Sequence, residues 1–263
     1  MTAASETSPS TAGTIAATLV GNLFLVVGTL VFATLALLVS WVPPRGNWTY
    51  RVARLWSRGV LWASGVRVRA VFEAPLEPDR QHVFMANHRS LFDIPVLIAT
   101  LPGQTRFLAK RGLFQIPIFG WALKAGGFIT IDRRNRSSAR ESFALAVSRL
   151  RAGTSVLVFP EGTRSTVEEL LPFQRGGFLL ALKSGLPIVP VGVRGTREVQ
   201  SKKSFLIRPG IVSVHYGSPL EAVEHSVSRK QELMNEVRDR MRALMGCADE
   251  GDAETEREPN RGE

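Results

Sequence analysis

From Thr14 to Val42 the chain runs for 29 residues without a charged side chain. A helix of that length is about 43 Å at 1.5 Å per residue, longer than the roughly 30 Å hydrocarbon core of a bilayer. Such a segment either spans with tilt or bends back as a re-entrant hairpin, with Gly21, Asn22 and Gly28 as the points where it would turn. A cleaved signal peptide would be shorter and would carry Lys or Arg ahead of the apolar run, and none precedes it here. Arg45, Arg51, Arg54 and Arg58 follow the run. The positive-inside rule therefore predicts a cell-membrane protein whose downstream part sits on the cytoplasmic face. Trp41, Trp48, Trp56 and Trp62 fall where an interfacial aromatic belt would lie. Val52, Leu55, Trp56, Gly59, Val60 and Ala63 recur at helical spacing, with Arg51, Arg54 and Arg58 on another face. That helix is either a core element or one lying in the headgroup layer, and the neighbouring anchor favours the second.

Charge is divided unevenly along the 263 residues. The formal net charge is +10, yet residues 1–44 carry only Glu6 and residues 246–263 hold seven acids and two arginines. The body between, 45–245, has 31 basic and 15 acidic residues, a net +16 that suits a phosphate-bearing partner or an anionic membrane. A single cysteine, Cys247, excludes a disulfide scaffold and a multi-cysteine metal site. His82, His88, His215 and His225 form no HExxH and no close pair, so no metal or other cofactor is expected.

The expected organisation is a disordered tail over 1–13, the anchor with its interfacial helix over 14–64, an α/β domain over 65–246, and an acidic disordered tail over 247–263. Short apolar runs predict strands at Val66–Phe72, His82–Ala86, Arg106–Ala109, Phe128–Ile131, Ser155–Phe159, Ile188–Val193 and Val212–Tyr216. Helical patterns separate several of them, the clearest over 137–151 and 228–245. This alternation predicts an α/β fold, a mainly parallel sheet flanked by helices, with functional loops at strand ends.

Four motifs sit at such junctions. In Asn87-His88-Arg89-Ser90-Leu91-Phe92-Asp93, a continuous helix would place His88 and Asp93 140° apart. They meet if His88 lies in a turn and Asp93 opens the next helix. The simpler reading makes Asp93 an N-cap and His88 structural; the functional one makes them a general base and its orienter. A strand in Gly126–Arg134 delivers Arg133 and Arg134 at its end, where guanidinium forks suit phosphate oxygens. In Phe159-Pro160-Glu161-Gly162-Thr163-Arg164-Ser165, Glu161 and Arg164 are either a local pair bracing the turn or a cradle for a glycerol phosphate head. The run Pro187–Val193 carries no titratable group and reads as core strand or acyl-chain lining.

In order and spacing, NHRSLFD, GGFITIDR, FPEGTRS and IVPVG resemble the glycerolipid acyltransferases, and within them the 1-acyl-glycerol-3-phosphate acyltransferases. The resemblance covers about residues 65–220. It implies that His88 is the catalytic base and Asp93 its partner. It implies acceptor or phosphate binding by Arg133, Glu161, Gly162, Thr163 and Arg164, and more loosely by Lys110 in RFLAKRGLFQIPIFG. The implied reaction moves a fatty acyl group from an acyl thioester, of CoA or of acyl-carrier protein, to the sn-2 hydroxyl of lysophosphatidic acid. No acyl-enzyme is needed, and the chain has no GxSxG elbow. Another lyso-lipid acceptor, such as a lyso-ornithine lipid, is the nearest alternative. A nucleic-acid partner is not expected, since no binding motif accompanies the basic body. The sequence does not name the oxyanion donors; backbone N–H groups in the turn after Asn87 are candidates only.

Overall fold

The computed structural model describes residues 10–43, 46–77, 80–131, 143–148, 150, 153–222 and 229–246. The predicted tail over 247–263 and Arg133 with Arg134 lie outside these residues. Seven strands form one sheet: β1 (Val66–Phe72), β2 (Val83–Ala86), β3 (Thr105–Lys110), β4 (Ile129–Ile131), β5 (Ser155–Val158), β6 (Ile188–Arg194) and β7 (Gly210–Tyr216). Their order is β1-β7-β6-β2-β5-β3-β4, and every pair is parallel except β6 with β7. The fold is thus a mixed, mainly parallel sheet flanked by helices.

Alternation along β2 feeds both faces of the sheet, as a doubly covered strand requires. Phe84 and Ala86 join a core with Val189, Val191, Val193, Leu157 and Leu97. Val83 and Met85 join a second core on the opposite face with Val156, Phe178, Leu180, Leu233 and Val237. The predicted helix over 137–151 is seen at residues 143–148, and Phe143, Ala146 and Leu150 pack into that second core.

The uncharged run folds as one helix, α1 (Thr11–Val39), interrupted by a π-helical turn at Phe24–Gly28. It is long and apolar enough to cross a membrane, by length and composition, and Leu19, Leu23, Val26 and Leu38 are exposed on it. It starts at Thr11, capped by the Ser10 hydroxyl, so residues 11–13 are helical where a disordered tail was expected. Nor does it turn back at its glycines. Gly21 instead allows close approach: a Cβ there would meet Ser64 Oγ at 2.7 Å and Ile207 Cδ1 at 2.9 Å. The chain reverses only after Val39, into α2 (Asn47–Ala63), which packs against α1 and against α3 (Asp93–Thr100).

Polar contacts hold α1 to the rest of the protein along its length. Thr18 Oγ1 donates to Ile207 O (3.2 Å) and accepts from Ile207 N (3.0 Å), while Asn22 Nδ2 donates to Phe205 O (2.9 Å). Further along, Trp56 Nε1 donates to Thr29 Oγ1 (3.0 Å) and Thr49 Oγ1 to Ala36 O (3.4 Å). One side of helix α2 packs inward. Tyr50, Val60, Leu61 and Ala63 are buried, and Arg54 turns inward to the carbonyls of Leu101 and Gly103. Trp56 is likewise drawn in, whereas Trp41 and Trp62 stay about 80% exposed.

Three further helices among the described residues are α4 (Phe119–Ala125), α5 (Arg175–Ser184) and α6 (Lys230–Gly246). The loops after β2, β5 and β6 leave the C-terminal ends of three adjacent parallel strands, so they meet along one edge of the sheet, where sites form in such folds.

Candidate active site

The loop after β2 is fixed first by Asn87. Its amide donates to Val193 O (2.8 Å) and accepts from Val193 N (2.7 Å), extending the ladder to β6 by one side chain. The backbone then turns sharply, and Asp93 opens α3. Its carboxylate does not cap its own helix. It points back into the turn, where Oδ2 accepts from His88 Nδ1 (2.6 Å), Arg89 N (2.7 Å) and Ser90 N (2.9 Å). Oδ1 accepts from Thr196 Oγ1 at 2.5 Å. Oδ2 already accepts from two backbone N–H groups beside the ring, and the matching tautomer of His88 carries its proton on Nδ1 and leaves the Nε2 lone pair free.

Both of these residues are held from other sides too. The His88 ring stacks on Phe159, centroids 4.0 Å apart at 18°. Its backbone N–H donates to Glu161 Oε1 (2.9 Å), and its carbonyl accepts from Ser165 N (2.7 Å). Glu161 Oε2 accepts from Leu171 N (2.9 Å). Burial pushes the Glu161 carboxyl above the ordinary carboxylate value, while the backbone donors of Leu171 and His88 pull it down.

Glu161 was expected either to pair with Arg164 or to bind the acceptor; its buried carboxylate faces inward, and each oxygen holds a backbone N–H. The physical reason is local: those two part-buried N–H groups have the Glu161 carboxylate as their acceptor. The candidate oxyanion donors after Asn87 are engaged elsewhere, since the N–H groups of His88, Arg89 and Ser90 all donate to Glu161 or Asp93. The fourth motif takes the first of its two readings, core strand: Val189, Val191 and Val193 are buried.

His88 opens onto a cavity of about 850 Å³, in the range of ligand sites. Gly162 and Thr163 from the loop after β5 and Lys110 from the end of β3 also border it. Thr29, Thr49, Arg111 and Gln115 also line it, and most of the remaining lining is apolar, with Phe32, Ala33 and Ala36 of α1, Val52 and Trp56 of α2, and Ile94 and Ile98 of α3. Arg164 is half-buried beside this region. Its guanidinium reaches Lys202 O (3.5 Å), and Lys202 Nζ donates to Arg164 O (2.7 Å). His88, Asp93, Lys110, Glu161, Gly162, Thr163 and Arg164 thus gather on one edge. The sequence reasoning missed Thr196, which carries no charge and follows the apolar run judged uninformative; the Gly-Thr directly after that strand was the available signal.

With this geometry in place, comparison with known proteins is informative. The family model Acyltransferase matches residues 67–194. A Salmonella typhimurium protein, 1-acyl-sn-glycerol-3-phosphate acyltransferase, is 32% identical over 195 residues, 73% of this chain and 78% of that one. A chloroplastic 1-acyl-sn-glycerol-3-phosphate acyltransferase of Arabidopsis thaliana is 30% identical over 205 residues, 77% of this chain and 56% of that one. One from Cocos nucifera is 37% identical over 140 residues, 53% and 46%. The chain spans about half the length of these two plant relatives. The crystal structure of the 1-acyl-sn-glycerophosphate acyltransferase PlsC from Thermotoga maritima matches with a TM-score of 0.74 at 23% identity, covering 90% of this chain and 98% of that one. At that identity it establishes the shared fold.

Proposed function

We infer the activity from one premise: this chain belongs to the 1-acyl-sn-glycerol-3-phosphate acyltransferase family. We propose that it moves a fatty acyl group from an acyl thioester to the sn-2 hydroxyl of lysophosphatidic acid, giving phosphatidic acid. The observation that carries this reading is His88, tied by Nδ1 to the buried Asp93 at 2.6 Å and opening onto the apolar cavity.

His88 Nε2 takes the hydroxyl proton as the oxygen attacks the thioester carbonyl carbon. Asp93 holds the ring and stabilises the imidazolium that forms. Collapse of the tetrahedral intermediate breaks the C–S bond, and the imidazolium returns its proton to the leaving thiolate. The acceptor itself is the nucleophile, so no acyl-enzyme intervenes. Arg164, with Arg133, holds the acceptor phosphate and so brings the hydroxyl within reach of Nε2. Thr163 and Lys110 at the mouth of the cavity supply further polar contacts to the substrates, and the apolar walls take the acyl chain. Glu161 serves by fixing the His88 backbone.

Membrane association follows from the exposed apolar side of α1. Because the rest of the protein packs along that helix, α1 lies against the domain inside the membrane rather than crossing alone, and the arginines after it favour the cytoplasmic face.

The test is acylation of lysophosphatidate by purified protein with acyl-CoA and with acyl-carrier-protein thioester, read by product mass. Phosphatidic acid from either donor supports the reading. Product from lyso-ornithine lipid alone, or free fatty acid alone, overturns it.

A further inference from the structure

We propose that Thr196 is a positioning residue for acyl transfer, whose hydroxyl fixes the plane of the Asp93 carboxylate. The inference rests on the reading that His88 and Asp93 carry the reaction.

The argument starts from the torsion that ends an aspartate side chain. It is broad and roughly two-fold, so nothing intrinsic decides which oxygen faces a partner or at what tilt. In this site the two oxygens have different tasks. Oδ2 receives the imidazole and two backbone N–H groups, all from the loop after β2. Those three donors all belong to one loop, so they tie the carboxylate, whose plane is set by the torsion about Cβ–Cγ, to that loop alone. Oδ1 is held from a different direction, by Thr196 Oγ1 at 2.5 Å. That second anchor belongs to another strand end and makes the carboxylate plane a property of the tertiary fold.

Thr196 is built for this. It is 1% exposed, at the start of a short helical turn, Thr196–Val199. Gly195 before it has φ 85°, and a Cβ there would meet Ile211 O at 2.5 Å. Only glycine therefore allows the chain to turn from β6 directly beneath Asp93. The same stretch braces the catalytic loop at both ends: Val193 pairs with the Asn87 amide, and Gln200 O accepts from Ser90 Oγ at 2.7 Å. Thr196 is the member of this brace that touches the carboxylate.

The experiment compares Thr196→Val, Thr196→Ala and Thr196→Ser with the parent in full-length protein, with His88→Ala in the same assay. Thr196→Val keeps the shape and removes the hydroxyl. Its kcat is expected to fall about 10- to 100-fold, the effect of losing one hydrogen bond to a buried charge, with acceptor KM within about two-fold. Thr196→Ala, which cannot overpack, follows in the same direction, and Thr196→Ser stays within about three-fold of the parent. A folded Val or Ala variant with parental kcat overturns the proposal. So does a serine variant no better than alanine, since packing of the methyl would then be the cause. Retained turnover in His88→Ala would instead overturn the catalytic reading itself.

Discussion

The loop after β2 and the loop after β5 lie side by side and hold similar residues, but they use their polar groups differently. In the first, the bonds of Asp93 and the backbone N–H groups of residues 88–90 turn inward, while the His88 ring faces the cavity. In the second, Glu161 turns inward to the first loop, while Gly162 and Thr163 border the cavity and Arg164 stays half-buried beside it. One loop is locked so that it can move a proton at a fixed place. The other locks its neighbour with one residue and leaves the rest to face the substrate. Residues of one loop thus divide between duties: Glu161 braces the backbone of the first loop, while Gly162 and Thr163 face the cavity.

Substitutions can break that contrast. The largest effect belongs to the locked loop: His88→Ala and Asp93→Asn should each lower kcat by about 10³- to 10⁴-fold. Thermal unfolding of His88→Ala should change little, and substantial turnover in a folded variant would remove the base from His88. Next comes Glu161→Ala, which strands two N–H groups and should cost about 2–4 kcal/mol in denaturant unfolding. A raised acceptor KM with unchanged stability would return Glu161 to the substrate and erase the contrast. Arg164→Ala should raise acceptor KM about ten-fold with kcat nearly intact, and an unchanged KM would remove it from the phosphate. The smallest effect lies at the other end of β2. Burial holds His82 below the ordinary histidine value near 6.5, so the unfolded chain binds more protons there. Stability should therefore fall as pH drops from about 6.5 through the lowered folded value. His82→Gln should flatten that fall, which for one proton is at most about 1.4 kcal/mol per pH unit. An unchanged slope would show that other groups set it.

Much of this was legible because it is local. The apolar runs located the strands to within about two residues, since period-2 and continuous apolar patterns reflect burial on each face. His88 and Asp93 could be paired because only a turn-then-helix lets residues five apart meet. The reversal after Val39 was not legible, because glycines that permit a bend also permit close helix packing, as Gly21 does. Nor was the antiparallel β6–β7 pair, since apolar runs carry no direction.

The sequence by itself determined a long uncharged segment, the apolar runs that become strands, and a histidine five residues before an aspartate. Those features depend on residues close in the chain. Only the tertiary structure decided which polar groups face substrate and which face protein. It turned Glu161 inward, brought Thr196 from 103 residues away to Asp93, and closed the cavity with α1. Those outcomes depend on which buried N–H groups need an acceptor once the strands are side by side, and that is fixed by the strand order.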